Sequence, residues 1–87
     1  MLKEITNLDN WELASNYRYT YICNNERSFE LLVIFHTNNT PMETSKAVVY
    51  EIKRDMYNIT RVPLTLAPNI WEGTIQEWLL CLKNLID

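Results

Sequence analysis

Hydrophobic and polar residues alternate along much of the first two thirds of the chain, and this pattern predicts β-strands. The longest apolar stretch lies between Ser28 and Thr37 and is expected to form the central strand of a small sheet. Apolar residues occur on both faces of this strand, so both faces are expected to be at least partly covered. One face carries Phe29, Leu31, Val33 and Phe35, and the other carries Glu30, Leu32, Ile34 and His36.

The preceding strand, residues 17–23, is predicted to form a hairpin with the central strand through a loop at residues 24–26. Three tyrosines share one of its faces: Tyr17, Tyr19 and Tyr21. A three-residue loop places these tyrosines on the core face, whereas a loop of two or four residues places them beside Leu32 and Ile34. The first alternative makes a cross-strand packing ladder. The second makes an exposed aromatic surface for a partner, since tyrosine is enriched at interfaces.

A second hairpin is predicted from residues 46–54 and 57–62, joined by a two-residue turn. That turn sets Ile52 opposite Ile59 and keeps Tyr57 on the same face. The N-terminal segment is less regular and is expected to add an edge strand or a short helix. Its helical pattern rests on Leu2, Ile5 and Leu8, and its strand pattern on Trp11 and Leu13.

The C-terminal residues predict one amphipathic helix, because apolar side chains recur there at helical spacing. The stripe consists of Trp71, Ile75, Trp78, Leu79, Leu82, Leu85 and Ile86. Two N-termini compete, since Asn69 and Thr74 each precede a glutamate by three residues, as in a capping box. We favour the start at Asn69 because Trp71 belongs to the stripe, although Gly73 inside a helix costs about 1 kcal/mol relative to alanine.

Two hairpins followed by a helix predict a single α+β domain over residues 1–87. We expect a four- to five-stranded antiparallel sheet with the C-terminal helix packed on the face of Phe29, Leu31, Val33 and Phe35. One helix cannot cover both faces of a sheet, so we expect the face of Leu32 and Ile34 to lack a covering element within the chain. Leu80 projects away from the helical stripe and would enlarge an apolar patch if it lay beside uncovered surface.

Charge and targeting patterns exclude several function classes. The net charge is −3 and the eight basic residues are scattered, whereas a nucleic-acid binder gathers cations into a patch. Nucleic-acid binding is therefore not expected, although folding could gather Lys53, Arg54 and Arg61. The chain opens without a signal-peptide pattern, and its longest apolar run is five residues, so we expect a cytoplasmic protein without membrane association. The thiols of Cys23 and Cys81 are expected to be reduced and packed.

Candidate catalytic or metal-binding residues are few. His36 is the only histidine, and no second ligand stands near it at a metal-binding spacing. A thiol site that combines Cys23 or Cys81 with His36 is arithmetically possible but is not favoured. Gly73 is the only glycine, which excludes glycine-rich phosphate loops in their usual form. We therefore expect no enzymatic activity, no cofactor and no metal ion.

These observations favour a small non-enzymatic protein-interaction module, either a homodimer or an accessory or inhibitor protein that binds another protein. One alternative is a small-ligand-binding domain with an aromatic pocket between helix and sheet, lined by Trp71, Trp78 and tyrosines. Another is an acidic inhibitor of phage or mobile-element origin that mimics nucleic acid, since short, acidic, Asn- and Ile-rich chains are typical of accessory proteins of bacteria and their phages. The candidate interaction residues are Tyr17, Tyr19, Tyr21, Leu32, Ile34 and Leu80.

Overall fold

A computed structural model describes residues 4–86 as an antiparallel sheet with one helix at its C-terminal end. In chain order the elements are a 3-10 turn (Leu8–Asn10), β1 (Glu12–Ser15), β2 (Arg18–Ile22), β3 (Arg27–Phe35), a 3-10 turn (Met42–Thr44), β4 (Lys46–Arg54), β5 (Ile59–Pro63), β6 (Gly73–Thr74) and α1 (Ile75–Ile86). Strands β1 to β5 are neighbours in chain order, and the two-residue β6 also pairs with β4. The α+β prediction is therefore confirmed, with the helix on one face of the sheet.

The first hairpin has the three-residue loop. Tyr21 pairs with Phe29 and Tyr19 with Leu31, which places this side of β2 in the core. The loop is shaped by Asn24, whose Oδ1 accepts the backbone N–H groups of residues 26 and 27 at 2.8 and 2.9 Å. Tyr21 is consequently buried and Tyr19 half-buried, so only the packing alternative for these two tyrosines agrees with the register.

The core lies between α1 and the face of β3 that carries Phe29 and Leu31. Trp78 is completely buried, and its Nε1 donates a hydrogen bond of 2.8 Å to the carbonyl oxygen of Ala47 on β4. This bond satisfies the indole N–H and anchors the helix across the sheet. The buried apolar residues are Ile5, Trp11, Tyr21, Phe29, Leu31, Ala47, Val49, Ile75, Trp78, Leu79 and Leu82.

The N-terminal segment contributes both a 3-10 turn and the edge strand β1. It packs against the sheet because Ile5 and Trp11 are buried, and Trp11 Nε1 donates to the carbonyl oxygen of Ile5 at 2.9 Å. The ring of Trp11 lies against Tyr21, with 5.4 Å between ring centroids. Leu2, which we grouped with Ile5 on a helical face, lies outside the described residues.

Phe35 corrects the predicted helix-facing set. Alternation placed it beside Val33 under the helix, but the register of β3 against β4 shifts between these two residues. Val33 remains packed against the core, whereas Phe35 is exposed. A β-bulge changes the face of every residue that follows it, which is why the periodic pattern was wrong at this one position.

The second hairpin corrects the predicted turn. The turn lies one residue later than predicted, since Arg54 pairs with Ile59 and the N–H of Asp55 donates to the carbonyl oxygen of Asn58 at 2.9 Å, so the predicted pairing of Ile52 with Ile59 was wrong. The Asp55 carboxylate organises this loop by accepting the backbone N–H groups of Tyr57 and Asn58 at 2.8 and 2.6 Å. Because the register moved by two residues, Ile59 keeps its predicted face, while Tyr57 lies exposed in the loop.

The start of the helix also differs from the favoured prediction, because α1 begins at Ile75. Asn69 adopts a positive φ of 65° and closes a tight turn, in which the N–H of Ile70 donates to the carbonyl oxygen of Ala67 at 2.9 Å. Thr74 is the N-cap residue of the helix, as the second of the two predicted helix starts requires. Its Oγ1 accepts the N–H of Glu77, and the Glu77 carboxylate accepts the N–H of Thr74, both at 3.1 Å.

Gly73 lies in β6 opposite Ala47, not inside the helix. It is buried, and a Cβ atom at this position would overlap Cδ1 of Leu66, which packs over the core. The absence of a side chain therefore leaves room for Leu66 to pack against the segment that pairs with β4.

We expect Gly73→Ala to lower the free energy of unfolding by about 1–3 kcal/mol, because the added methyl group overpacks the contact with Leu66. Chemical denaturation of Gly73→Ala, Leu66→Ala and the double variant measures this coupling. In the Leu66→Ala background most of the cost of Gly73→Ala should disappear. An equal cost in both backgrounds would show that Leu66 is not the obstacle.

The cap at Thr74 gives a second prediction, in which Thr74→Ala lowers the free energy of unfolding by about 1 kcal/mol at neutral pH. The hydrogen bonds from the Thr74 backbone N–H and then from its hydroxyl lower the pKa of Glu77 below its ordinary value. A carboxylate with a lowered folded-state pKa stabilises the fold above its unfolded-state pKa, and this contribution is lost as the pH falls through the folded-state value.

Glu77→Gln should therefore be less stable than the parent at neutral pH, and the difference should vanish in acid, as thermal unfolding at several pH values would measure. Glu72→Gln is the matched control, since Glu72 is the glutamate of the helix start that the chain does not use. A difference for Glu72→Gln with the same pH dependence would contradict the assigned cap.

Candidate functional site

The face of the sheet opposite α1 is partly covered by the chain's own arginines. The Arg61 guanidinium on β5 pairs with the buried carboxylate of Glu30 and lies over the ring of Tyr50, 3.9 Å from its centroid. Nearby, Arg54 donates a hydrogen bond of 3.1 Å to the buried hydroxyl of Ser28. Long side chains that lie flat in this way shield the strands beneath them. An apolar partner on this half of the face would have to desolvate both arginines, which is costly.

The opposite corner of the same face remains open and apolar. We define the aromatic corner as Tyr17, Ile34 and Phe35, whose exposed fractions are 56%, 48% and 65%. These residues surround a small cleft of about 110 Å³ whose other walls are Val33 and His36. Large side chains with this much exposed apolar area are a feature of protein-binding surfaces when they occur together.

Tyr17 reaches the corner through an unusual backbone conformation. It lies in the turn between β1 and β2 with a φ of 66°, a value that costs a bulky residue about 1–2 kcal/mol. The turn is held to the sheet because the Tyr17 carbonyl oxygen accepts the N–H of Val33 at 2.8 Å. Glycine or asparagine would adopt this conformation with less strain. Residues held in such conformations are concentrated at functional sites.

Phe35 reaches the corner through the β-bulge. Val33 pairs with Ala47 and Phe35 pairs with Lys46, so Ile34 is the extra residue between them. Ala47 is buried under the helix, and its neighbour Lys46 therefore points to the open face. Phe35 shares that side with Ile34. The bulge thus turns an aromatic side chain out of the core and sets it next to Ile34, a role that bulges often have.

His36 connects the corner to the helix start. Its Nδ1 lies 2.6 Å from Oγ of Ser45, and the carbonyl oxygen of Ser45 accepts the N–H of Ile75 at 3.0 Å. Ser45 is buried, so its hydroxyl is not presented to a substrate. Cys23 hydrogen bonds to Arg27 at the far end of β3, roughly 30 Å away at about 3.3 Å per residue. The fold therefore does not assemble the thiol site of Cys23 with His36.

The end of the sheet near Cys23 holds a second charged cluster. Arg27 binds the buried carboxylate of Glu51 through Nε at 3.0 Å and a second nitrogen at 3.4 Å, and Lys53 Nζ lies 3.8 Å from the same carboxylate. The cluster borders a groove of about 580 Å³ that Arg54 also lines, so Lys53 and Arg54 do come together. Their groove also contains glutamates, which is unlike a phosphate-binding patch.

Cys23 in this cluster has a raised pKa, chiefly because it is desolvated by burial. The Glu51 carboxylate raises this pKa further, and the Arg27 guanidinium opposes the shift. A raised pKa keeps the thiol protonated, and the thiolate is the reactive form. Cys23 and Cys81 are both free thiols.

The predicted interaction residues fall into separate places. Tyr17 and Ile34 lie together in the aromatic corner, and Leu32 is half-buried on the same face. Tyr21 and Tyr19 pack on the helix side. Leu80 borders a different groove of about 440 Å³ between α1 and the second 3-10 turn. Sequence reasoning missed Phe35, because its position in the alternating pattern was that of a core residue.

The structure does not place Trp71 and Trp78 together as walls of the aromatic pocket that the ligand-binding alternative requires. Trp78 is completely buried in the core, whereas Trp71 lies outside the helix and is about half exposed. These two side chains therefore do not face a common space between helix and sheet. Within residues 4–86, no three His, Cys, Asp or Glu side chains form a group that could hold a metal ion. None of the helices described there is long and apolar enough to cross a membrane.

Comparisons with models of known families, with curated proteins and with solved structures give no match for this chain.

Proposed function

We propose that this protein is a non-enzymatic interaction module that binds another protein chain through its aromatic corner. The observation that carries the proposal is the exposure of Tyr17 and Phe35 by two separate departures from regular backbone. A positive φ places one ring and a bulge places the other, and both rings border the same cleft. Both rings are left largely in solvent, at 56% and 65% exposed, so a role at the surface accounts for both departures.

The chemistry of the corner supports recognition by side chains. Tyrosine and phenylalanine are enriched at the centres of interfaces, where they bury a large area with few rotatable bonds. Leu32 and Val48 are half-buried cross-strand partners beside the corner and extend its apolar surface along the open face.

The sheet edges are less suited to binding by strand addition. β1 has only four residues, and its register shifts between Leu13 and Ser15. β5 ends at Pro63, which has no N–H to donate, and it carries the charged Arg61. Short strands, bulges, proline and charge all protect edges against pairing with another chain. Partner binding is therefore assigned to the side chains of the corner.

The proposal predicts that a Tyr17→Asn, Phe35→Ser double variant stays folded but loses its partner. We expect a free energy of unfolding within about 1 kcal/mol of the parent, since asparagine relieves the strain at Tyr17 and Phe35 is exposed. Partner capture should fall at least about tenfold, as expected when interface aromatics are truncated. Quantitative mass spectrometry after capture from the source cell measures the loss, and light scattering tests self-association.

The matched control is a Met56→Ser, Tyr57→Asn variant in the loop between β4 and β5. Met56 and Tyr57 are more exposed than the corner residues, at 85% and 87%, and lie at the other end of the sheet. This variant should retain full partner capture. Equal capture by the corner variant and the parent, or an equal loss in the control, would overturn the proposal.

A further inference from the structure

We infer that the groove between α1 and the second 3-10 turn binds a small primary amine that carries an apolar body. The groove lies on the helix side of the sheet and shares no lining residue with the aromatic corner, so this site goes beyond the proposed function. It also gives a role to Leu80, which is 55% exposed and takes no part in the corner.

Two walls of the groove come from α1 and from the 3-10 turn. Gln76, Leu79 and Leu80 are three and four residues apart on α1 and therefore share one face of the helix. The turn forms the opposite wall. Ser45, directly after the turn, ties it to the helix start, because its carbonyl oxygen accepts the N–H of Ile75 at 3.0 Å. Walls that are already fixed do not have to be ordered when a ligand binds, which favours affinity.

The N-terminal segment supplies a third wall at Thr6. The neighbouring Ile5 is buried, and its carbonyl oxygen accepts the indole N–H of Trp11 at 2.9 Å, so this wall is also anchored to the core. Leu79 is almost fully buried and forms the apolar floor. The groove has a volume of about 440 Å³, which lies within the range of about 300–1,000 Å³ that is usual for small-molecule sites.

The polar groups of the groove are mostly hydrogen-bond acceptors. The Thr6 hydroxyl donates to the Glu4 carboxylate, and the Thr44 hydroxyl donates to a carbonyl oxygen of its own turn, both at 2.7 Å. A hydroxyl has one proton, so both oxygens can only accept further hydrogen bonds. The carboxylate of Glu43 accepts as well, whereas the Gln76 amide can also donate. An ammonium group, with three donors and no acceptor, matches this set.

The charge of the lining has the same sign preference. Glu43 is the one charged side chain among the lining residues that the structure describes, and it is exposed. Within residues 4–86 it takes part in none of the ion pairs. The Glu4 carboxylate, which is bound to Thr6, adds a second negative charge at the N-terminal wall. A cationic ligand therefore meets carboxylates at two walls of the groove.

The positive groups nearby lie outside the lining. Lys83 is exposed four residues beyond Leu79 on α1, and Lys46 interacts with Glu77 at the helix start. The positive end of the helix is itself occupied, because the Glu77 carboxylate accepts the N–H of Thr74 at 3.1 Å. An ammonium group in the groove therefore contacts a carboxylate and none of these cations.

A lysine side chain of a partner protein carries the same ammonium group. Its four methylene groups fill only part of the groove, whose volume equals the share of about 15 water molecules in the liquid. A free amine with a larger apolar body removes more of the surface of Leu79 and Leu80 from water, and this burial is the main source of affinity in such a site. The occupant is therefore a free small molecule.

The test uses the full chain, isotope-labelled for NMR, and three probes with one apolar body: phenylpropylamine, phenylpropanol and phenylpropionate. The amine should bind most tightly and shift the amide resonances of Thr44, Gln76 and Leu80. Glu43→Gln should lower the affinity for the amine about two- to fivefold, as for an exposed ion pair, and leave the affinity for the alcohol unchanged. Added salt should weaken only the binding of the amine.

Two matched controls separate charge from apolar contact. Glu12→Gln removes an exposed carboxylate on β1 and should leave both affinities unchanged. Leu80→Gln should lower the affinities for amine and alcohol alike, by about three- to tenfold, because both lose the same apolar contact. Leu13→Gln removes a leucine on β1 that is 62% exposed and should have no effect. Glutamine is a good helix former, so Leu80→Gln keeps α1 intact.

Equal or tighter binding of the alcohol or the carboxylate would overturn the inference, as would an unchanged ratio of amine to alcohol affinity in Glu43→Gln. The absence of saturable binding, or shifts confined to amides away from the groove, would overturn it too. A short peptide with one lysine among glycines and serines is the fourth probe, and tighter binding of this peptide would identify a protein side chain as the occupant instead.

These failures are separate from failure of the proposed function. The Tyr17→Asn, Phe35→Ser variant should bind the amine like the parent, because the aromatic corner lies on the face opposite α1. Loss of partner capture in that variant with no amine binding by the parent keeps the corner and removes only the amine site. Unchanged capture with normal amine binding removes the corner and keeps the groove.

Discussion

The structure of residues 4–86 depends on one constraint, which is that one twelve-residue helix has to close a sheet of six strands, of which β6 has only two residues. The helix has one apolar stripe and covers one face, where the bond from Trp78 to the Ala47 carbonyl oxygen holds it in place. The chain before the helix pairs with β4 at Gly73, and the absence of a side chain there leaves room for Leu66. The core, the helix start and the short strand β6 therefore follow from how the helix docks on β4.

The same constraint explains the composition of the other face, which no helix within residues 4–86 covers. β3 carries apolar side chains on both faces, and on the face away from the helix arginines provide part of the cover by lying over Tyr50, Glu30 and Ser28. The buried carboxylate of Glu30 is tolerated because Arg61 pairs with it, whereas an unpaired charge there would be costly. The shield ends before Leu32 and Ile34. The aromatic corner is thus the part of the open face that the arginines do not cover.

The alternating pattern predicted the strands and most of their faces, because a shift in register by an even number of residues leaves every side chain on its predicted face. The second hairpin shows this, since its register moved by two residues and Ile59 still kept its side. The pattern failed at Phe35, where one extra residue reverses the alternation, and at Trp71, whose helical spacing was coincidental. Both depend on contacts between distant segments: the bulge forms where β3 ends beside Ser45, and the helix start depends on the pairing of Gly73 with Ala47. Only part of the candidate site could be predicted from the sequence. Tyr17 and Ile34 were predicted as interaction residues, whereas Phe35 was predicted to lie in the core.

At position 17 the residue type that would give the most stable turn differs from the tyrosine that the chain carries. Asparagine precedes it in the chain, yet the positive φ falls on the tyrosine, where the strain is larger. A two-residue turn that served only to connect β1 and β2 would be more stable with glycine or asparagine at the strained position. The tyrosine instead costs conformational energy and leaves more than half of its side chain in solvent, which is the opposite of what packing favours. The proposed partner-binding surface accounts together for the conformational strain and exposed apolar area at this residue and for the neighbouring bulge that exposes a second ring.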